Sequence, residues 1–364
     1  MDIRYHDSLL LKYTMEKILI TPLYGMGDTL MTTPALELLK KSMPDCEITF
    51  FTFSSPSHQI MLNNPHIDRL WYYPLKVIHF LKGSVHVISR FSFRFDTCIN
   101  FYPSNRTAYN LFSFLTGTKK RIGHTYVKKN FSQLNWLKNM TIPEDIKLHC
   151  VEENVRLLKF FDINPDMKNI PPTKIYLTDE EKKAGGVFKQ SLPRCPTVGI
   201  HTGTSTFKNQ DKRRWPRESF VRMIDLLPEI HFVLFGSLDE IGINNHIKAC
   251  VKNPSRVTIV ENKTIREVAA ITGTLDAFVS NDSGLMHIAA AMNTPVVAIL
   301  GPTNPAFIHP WGVRHTIARL ELPCSPCFFY SPKPLTCSQN NSFKCIHGLE
   351  PATVADAVRN VLQQ

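Results

Sequence analysis

No apolar run in the 364-residue chain approaches the ~18–20 residues that a membrane-spanning helix needs, so the sequence offers no spanning segment. No secretory leader is legible either. Met1–Asp2–Ile3–Arg4 leads into only three consecutive leucines, and no small-residue cleavage site follows. No nucleic-acid-binding motif and no basic tract interleaved with aromatics is found, so nucleic acid is not an expected partner. Short internal repeats and low-complexity segments are also missing. An even, regularly spaced set of cysteines is lacking as well. There are nine, and the scatter of Cys46, Cys98, Cys150, Cys195 and Cys250 argues against a disulfide framework. Those five read as small buried apolar residues.

What is present is ordinary globular composition, 43% hydrophobic and 20% charged. A single core rarely grows beyond ~250–300 residues, so a chain of this length predicts two domains. The formal net charge of +11 favours partners that carry phosphate or carboxylate. An anionic membrane surface and a phosphorylated glycolipid both fit, beside the plainer reading of a solubilising surface charge.

Apolar runs alternate with helical patterns along the chain. Strand candidates are Ile18–Leu23, Glu47–Phe53 and Phe95–Phe101, then Thr197–His201, His231–Phe235, Arg256–Val260, Ala277–Ser280 and Pro295–Leu300. Amphipathic stretches such as Glu218–Leu227 and Ile265–Ile271 lie between them. Continuous apolar strands interleaved with helices predict an α/β protein with parallel sheets covered on both faces. The proline-rich stretch Asp162–Lys174 reads as a linker. The expected organisation is an N-terminal extension at 1–14, an α/β domain over 15–165, a second over 174–350 and a C-terminal helix over 351–364. Ligands of two such doubly wound domains bind beyond the carboxyl ends of the strands.

Three segments carry chemistry. The first, Leu23–Tyr24–Gly25–Met26–Gly27–Asp28–Thr29, follows the opening strand. Gly25 and Gly27 allow a sharp turn and room for a ligand, and Asp28 falls at a helix start facing the cleft. Asp28 reads equally as an N-cap or as a catalytic carboxylate. A dinucleotide fingerprint would need a third glycine where Leu30 stands, which disfavours an NAD-dependent oxidoreductase. The second segment is His201–Thr202–Gly203–Thr204–Ser205, continuing to Lys212–Arg213–Arg214–Trp215–Pro216. Hydroxyls, glycine and cations at a strand end suit phosphate, although a solvated basic loop has the same composition. The third is Ser280–Asn281–Asp282–Ser283–Gly284–Leu285–Met286–His287. Its helix start offers free N–H groups and a positive dipole end to an anion. Leu285, Ile288, Ala289 and Met292 are expected on the buried face, with His287 on another. A further cluster, Cys324, Cys327, Cys337 and Cys345, opens with a chelating pair, yet its second pair is widely spaced for zinc. Neutral buried thiols suit it as well, and no catalytic metal is expected there.

These segments, in this order and spacing, resemble glycosyltransferase family 9, the heptosyltransferases. The stretch Ile18–Phe50 is similar to the family's opening strand, Gly-Asp turn, helix and strand. His201–Phe220 resembles its central phosphate loop and K-x-W-P segment, Val279–Pro305 its D-[ST]-G-x-x-H signature, and the cysteine-containing tail also looks like that of many members. The resemblance implies a GT-B fold of two Rossmann-like domains, with the nucleotide sugar on the C-terminal one and the acceptor on the N-terminal one. It implies an inverting transfer, without cofactor or bound metal, of heptose from ADP-heptose to a phosphorylated lipopolysaccharide core acceptor. The expected location is cytoplasmic, peripheral at the inner membrane. Asp28 matches the family's proposed base. Gly25, Gly27, Thr202, Gly203, Thr204, Asp282, Ser283, Gly284, Leu285 and His287 fall in its nucleotide-sugar segments. Two residues before the tryptophan the family commonly carries Lys. Arg213 stands there instead, with Lys212 one further back, so either cation qualifies as the phosphate contact. Other sugar donors, a protein acceptor, or a catalytically silent sugar-nucleotide-binding protein are the competing readings.

Overall fold

The computed structural model describes residues 15–21, 25–74, 89–328, 334–340 and 342–363. The extension 1–14, the turn residues Leu23 and Tyr24, Phe329 and Gln364 lie outside the described residues. Six strands come from the first half: β1 (Lys17–Ile20), β2 (Glu47–Thr52), β3 (Arg69–Tyr72), β4 (Thr97–Ile99), β5 (Lys120–Thr125) and β6 (Met140–Pro143). Six more come from the second: β7 (Thr197–His201), β8 (His231–Phe235), β9 (Val257–Val260), β10 (Ala277–Asn281), β11 (Val296–Ile299) and β12 (His315–Ala318).

Every pairing is parallel. The first sheet runs β3-β2-β1-β4-β5-β6, and the second repeats the same winding as β9-β8-β7-β10-β11-β12. Both are the Rossmann order, and the direction of winding reverses between β1 and β4 and again between β7 and β10. The central strands are largely apolar and almost wholly buried because helices cover both faces. Ile18, Leu19, Ile20, Val198, Ile200, Phe232, Leu234, Val279 and Ile299 are completely buried. The helix Pro351–Gln363 packs Val354, Val358 and Val361 against the second core. Among the described residues no helix is long and apolar enough to cross a membrane.

Residues 162–178 contain no helix or strand. They form a packed strap rather than a loose tether: Thr173, Ile175 and Leu177 are buried. The Lys174 amide donates to Thr33 Oγ1 at 3.2 Å, and the Trp311 indole donates to the Pro171 carbonyl at 3.0 Å. The two halves also meet directly. Arg266, from the helix Ile265–Thr272, donates to the Gln59 carbonyl at 2.9 Å while pairing with Glu181 at 2.5 Å.

The cysteines divide differently from expectation. Cys46, Cys98 and Cys150 are buried, but Cys195 is half-buried and Cys250 exposed, 3.7 Å from His246. Cys250 ends its helix and faces solvent, so apolar packing does not account for it. In the tail cluster all four thiols are free. Cys345 is pushed up to about 11 by burial, with Cys327, Cys337 and Cys324 adding to the rise. Among the described residues no group of three or more His, Cys, Asp or Glu is arranged to hold a metal ion.

Candidate active site

The site is built where the two winding reversals face each other. After β1 the chain turns at Gly25 into the short helix Met26–Leu30. Gly25 is the N-cap and makes no side-chain cap, so Asp28 sits inside the first turn and does not cap it. The N-cap alternative for Asp28 is therefore set aside. After β10 the chain turns at Ser283 into the helix Gly284–Ala291. These two helices pack on each other across the cleft, and the glycines are what let them. A Cβ on Gly27 would lie 2.5 Å from His287 Cδ2, and one on Gly284 would lie 2.7 Å from Met26 Cε. Gly27 and Gly284 are thus sites of close approach between the halves. The packing also changes the expected helix face: Met286 and His287 are buried with Ile288 and Ala289, whereas Leu285 is only half-buried. A helix covered from both sides has no single buried stripe.

Asp28 is half-buried on the cleft floor. Burial pushes its carboxyl up to about 6. The Arg106 guanidinium opposes the rise, the Asp282 charge adds to it, and Arg213 opposes it. Asp28 is therefore ionised at neutral pH but a far better proton acceptor than an ordinary aspartate. His287, also buried, is held down to about 4 by desolvation, against the raising influence of Asp282. It is a neutral imidazole at neutral pH.

Facing Asp28 is a cation held in place by carboxylate and amide. Arg213 Nη1 donates to Asp282, and Nη2 donates to Gln210 Oε1 at 2.7 Å. The buried Nε of Arg213 has no acceptor among the described residues. The same oxygen, Asp282 Oδ2, also accepts from Thr303 Oγ1 at 2.6 Å, which fixes the carboxylate that holds Arg213. Lys212 next door is exposed. The backbone here is anchored by Asn281. Its Oδ1 accepts from the Trp215 amide at 3.0 Å, and its Nδ2 donates to the Thr202 carbonyl at 2.8 Å. This joins the loop after β7 to the loop after β10.

That β7 loop is supported from beneath. Thr202 Oγ1 donates to Asn244 at 2.9 Å, Thr204 Oγ1 to the Gln210 carbonyl at 2.9 Å, and Arg214 Nη2 to the Thr204 carbonyl at 2.6 Å. Gly203 lies against the Glu240 carboxylate so closely that a Cβ would overlap it. Burial raises the Glu240 carboxyl, but hydrogen bonds from His201 and Ser237 outweigh it and hold the group at about 2. His201 is gripped between Ser283 Oγ at 2.7 Å and Glu240 at 3.3 Å. With Ser283 Oγ so occupied, no side chain caps the helix Gly284–Ala291, which leaves its leading N–H groups available to an anion.

All thirteen residues singled out from the sequence lie on these strand-end loops and helix starts, with Lys212 the outward-facing one. Arg106, Glu240, Gln210 and Thr303 were not singled out. Each comes from a loop after a strand, and only the strand-end rule would have drawn attention to them.

The model of glycosyltransferase family 9 (heptosyltransferase) matches residues 93–335. Lipooligosaccharide heptosyltransferase 2 of Haemophilus influenzae is 26% identical over 84% of this chain and 89% of its own length. Among solved structures, the E. coli ADP-heptose LPS heptosyltransferase II superposes with a TM-score of 0.72 at 20% identity, covering 96% of this chain and 99% of that one. The E. coli heptosyltransferase WaaC with ADP-2-deoxy-2-fluoro heptose superposes at 0.67 and 17%, covering 96% and 99%. With two Rossmann sheets meeting at Asp28 and Arg213, and a family match over two-thirds of its length, this chain belongs to glycosyltransferase family 9 and has the GT-B fold.

Proposed function

We propose that the protein transfers a heptose from ADP-heptose to a lipopolysaccharide core acceptor with inversion at the anomeric carbon. The observation that carries this reading is the opposition of a raised carboxylate, Asp28, and an oriented guanidinium, Arg213, across one cleft. Inverting transfer needs a base on one side of the anomeric carbon and charge stabilisation on the other. Asp28 accepts the proton of the acceptor hydroxyl as the oxygen attacks. The bond to the diphosphate breaks on the opposite face, and charge builds on the departing ADP. Arg213 and the N–H groups of Ser283, Gly284 and Leu285 stabilise that charge, with Asp282 positioning the guanidinium. Thr202, Gly203 and Thr204 line the donor side, and the neutral His287 closes the floor against Gly27. The close fit of the two helices excludes water that would otherwise hydrolyse the donor.

In this reading the acceptor occupies the first domain, residues 15–165, and the donor the second, residues 174–350. The curated relative's name supports a lipooligosaccharide acceptor, and the WaaC structure supports ADP-heptose as donor. The test is a donor screen by mass spectrometry, with ADP-heptose against UDP- and GDP-sugars on lipopolysaccharide core acceptors. ADP-heptose alone giving a glycosylated product supports the reading. Exclusive use of another nucleotide sugar overturns it.

A further inference from the structure

A linear reading finds no basic tract interleaved with aromatics, but the fold assembles such a surface on the first domain. The helix Thr107–Leu115 exposes Leu111, Phe114 and Leu115, at 41%, 45% and 39%. Beside it stand Phe93 at 85%, Phe131 at 80% and Trp136 at 58%. The pieces are contiguous. The Phe93 amide donates to the Thr116 carbonyl at 2.8 Å, and the Phe93 ring lies against Gly117. On the other flank, the Thr107 amide donates to Gln133 Oε1 at 2.9 Å and Asn110 Nδ2 to the Gln133 carbonyl at 2.7 Å. That places the 131–136 turn alongside the helix. Arg121 lies over the Phe114 ring at 5.5 Å while its Nε donates to the Leu137 carbonyl.

The segment that carries these side chains is strongly basic, although Glu16 pairs with Lys120 at 3.1 Å and Glu144 accepts from the Val127 amide at 2.7 Å. Residues 89–138 contain nine Lys and Arg and a single acid, Asp96. Arg94, Lys119, Lys128 and Lys129 are exposed. Asp96 is engaged with the Lys17 amide at 2.9 Å. Several large apolar side chains exposed together on one face mark a contact surface. Aliphatic and aromatic tips inside a ring of cations fit an interface whose interior is hydrocarbon and whose rim is anionic. A second copy of the chain fits poorly, because a two-fold contact would bring the same cations face to face.

We infer that this face of the first domain docks on an anionic lipid bilayer, with Phe114, Phe131 and Trp136 entering the headgroup layer and Lys128 and Lys129 meeting lipid phosphates. The surface starts at the cleft rim, because Arg106, which faces Asp28, leads directly into the helix Thr107–Leu115. A membrane-borne acceptor would then be delivered to the base without leaving its bilayer. The docking surface extends the proposed function but is tested apart from it.

The experiment is co-sedimentation with phosphatidylcholine vesicles, with and without phosphatidylglycerol and carrying no acceptor. The full chain should bind the anionic vesicles and leave the neutral ones largely unbound. Trp136 emission should shift to the blue on binding. Each cation near an anionic surface contributes roughly fivefold in affinity, so the double variant Lys128→Glu, Lys129→Glu should bind at least about 25-fold more weakly. The triple variant Phe114→Ser, Phe131→Ser, Trp136→Ser should lose at least roughly tenfold. In ~1 M salt, where the Debye length is about 3 Å, the parent should keep part of its binding and the triple variant none. Both variants should keep turnover on a deacylated, water-soluble acceptor, which also shows that they fold. Equal vesicle binding by parent and variants overturns the docking surface. So does light scattering that shows the patch variants abolishing a dimer, or binding of a single-stranded RNA in preference to vesicles. If the parent fails on every soluble acceptor but binds vesicles as stated, the functional proposal fails and the docking surface stands.

Discussion

The proposed role of Asp28 rests on two opposing influences, desolvation that raises its carboxyl to about 6 and the guanidinium groups of Arg106 and Arg213 that limit the rise. Asp28→Asn should lower turnover at least roughly 100-fold with ADP affinity by calorimetry changed less than twofold. Unaltered turnover would leave Asp28 without a catalytic role. In the parent, turnover should climb as Asp28 loses its proton around pH 6 and level off above. The same shift has a stability consequence. Between the ordinary carboxyl value of 3.8 and about 6, the folded state binds more protons than the unfolded, so stability falls as pH rises through that window. Asp28→Asn should therefore raise stability at pH 7.5 by on the order of 1 kcal/mol after discounting for solvent, read as a higher Tm, and give no gain at pH 4. On the other side of the cleft, Arg213→Ala removes the oriented donors to the leaving group and should cost about 100- to 1,000-fold in kcat. Asp282→Asn leaves the donors in place but loosens them. It should fall between Arg213→Ala and the parent in kcat, a ranking read from steady-state kinetics.

At the scale of elements, the contact between the helices Met26–Leu30 and Gly284–Ala291 sets the width of the cleft. Gly27→Ala forces a methyl against the buried His287 ring, which has little room to yield. Gly284→Ala meets the Met26 side chain, whose methyl end at 2.7 Å can move and whose Cβ at 3.2 Å needs to give only by a few tenths of an ångström. Gly27→Ala should thus lower kcat at least roughly tenfold, and Gly284→Ala distinctly less. Equal effects would show that the glycines serve the ligand and not the helix contact. This contact explains which parts of the fold and site were legible beforehand. The interior strands β1, β7, β8, β10 and β11 are covered on both faces and read as largely apolar runs. By contrast β3 and β12 are half-exposed edge strands, and β5, of sequence KRIGHT, carries one aliphatic residue, Ile122. None of these three, nor β6, stands out in the sequence. Asp28, Arg213 and the Gly284 helix start were legible because each directly follows or flanks a strand-end motif. Arg106 and Glu240 were not, since they reach the site only when β4 and β8 are laid beside β1 and β7.

For the molecule as a whole, the strap over 162–178 and the Arg266 cluster hold the two sheets in register across the cleft. Arg266→Ala removes bonds to Gln59, Leu62, Tyr176 and Glu181 at once. It should lower stability by roughly 2–3 kcal/mol, visible as a reduced urea midpoint, while leaving the residues of the donor site untouched. Treatment with a chelator should leave transfer intact, since the charge on departing ADP is assigned to Arg213 and backbone N–H groups. Loss of transfer with the fold preserved by circular dichroism would shift attention to the tail cysteines. The most direct test of the central claim is the product formed from ADP-heptose and a lipopolysaccharide core acceptor, followed by NMR at the new anomeric centre. The account predicts one added heptosyl residue with inverted configuration, equimolar ADP, and no product with Asp28→Asn. A product with retained configuration, or the same product from Asp28→Asn at the parent's rate, would contradict it.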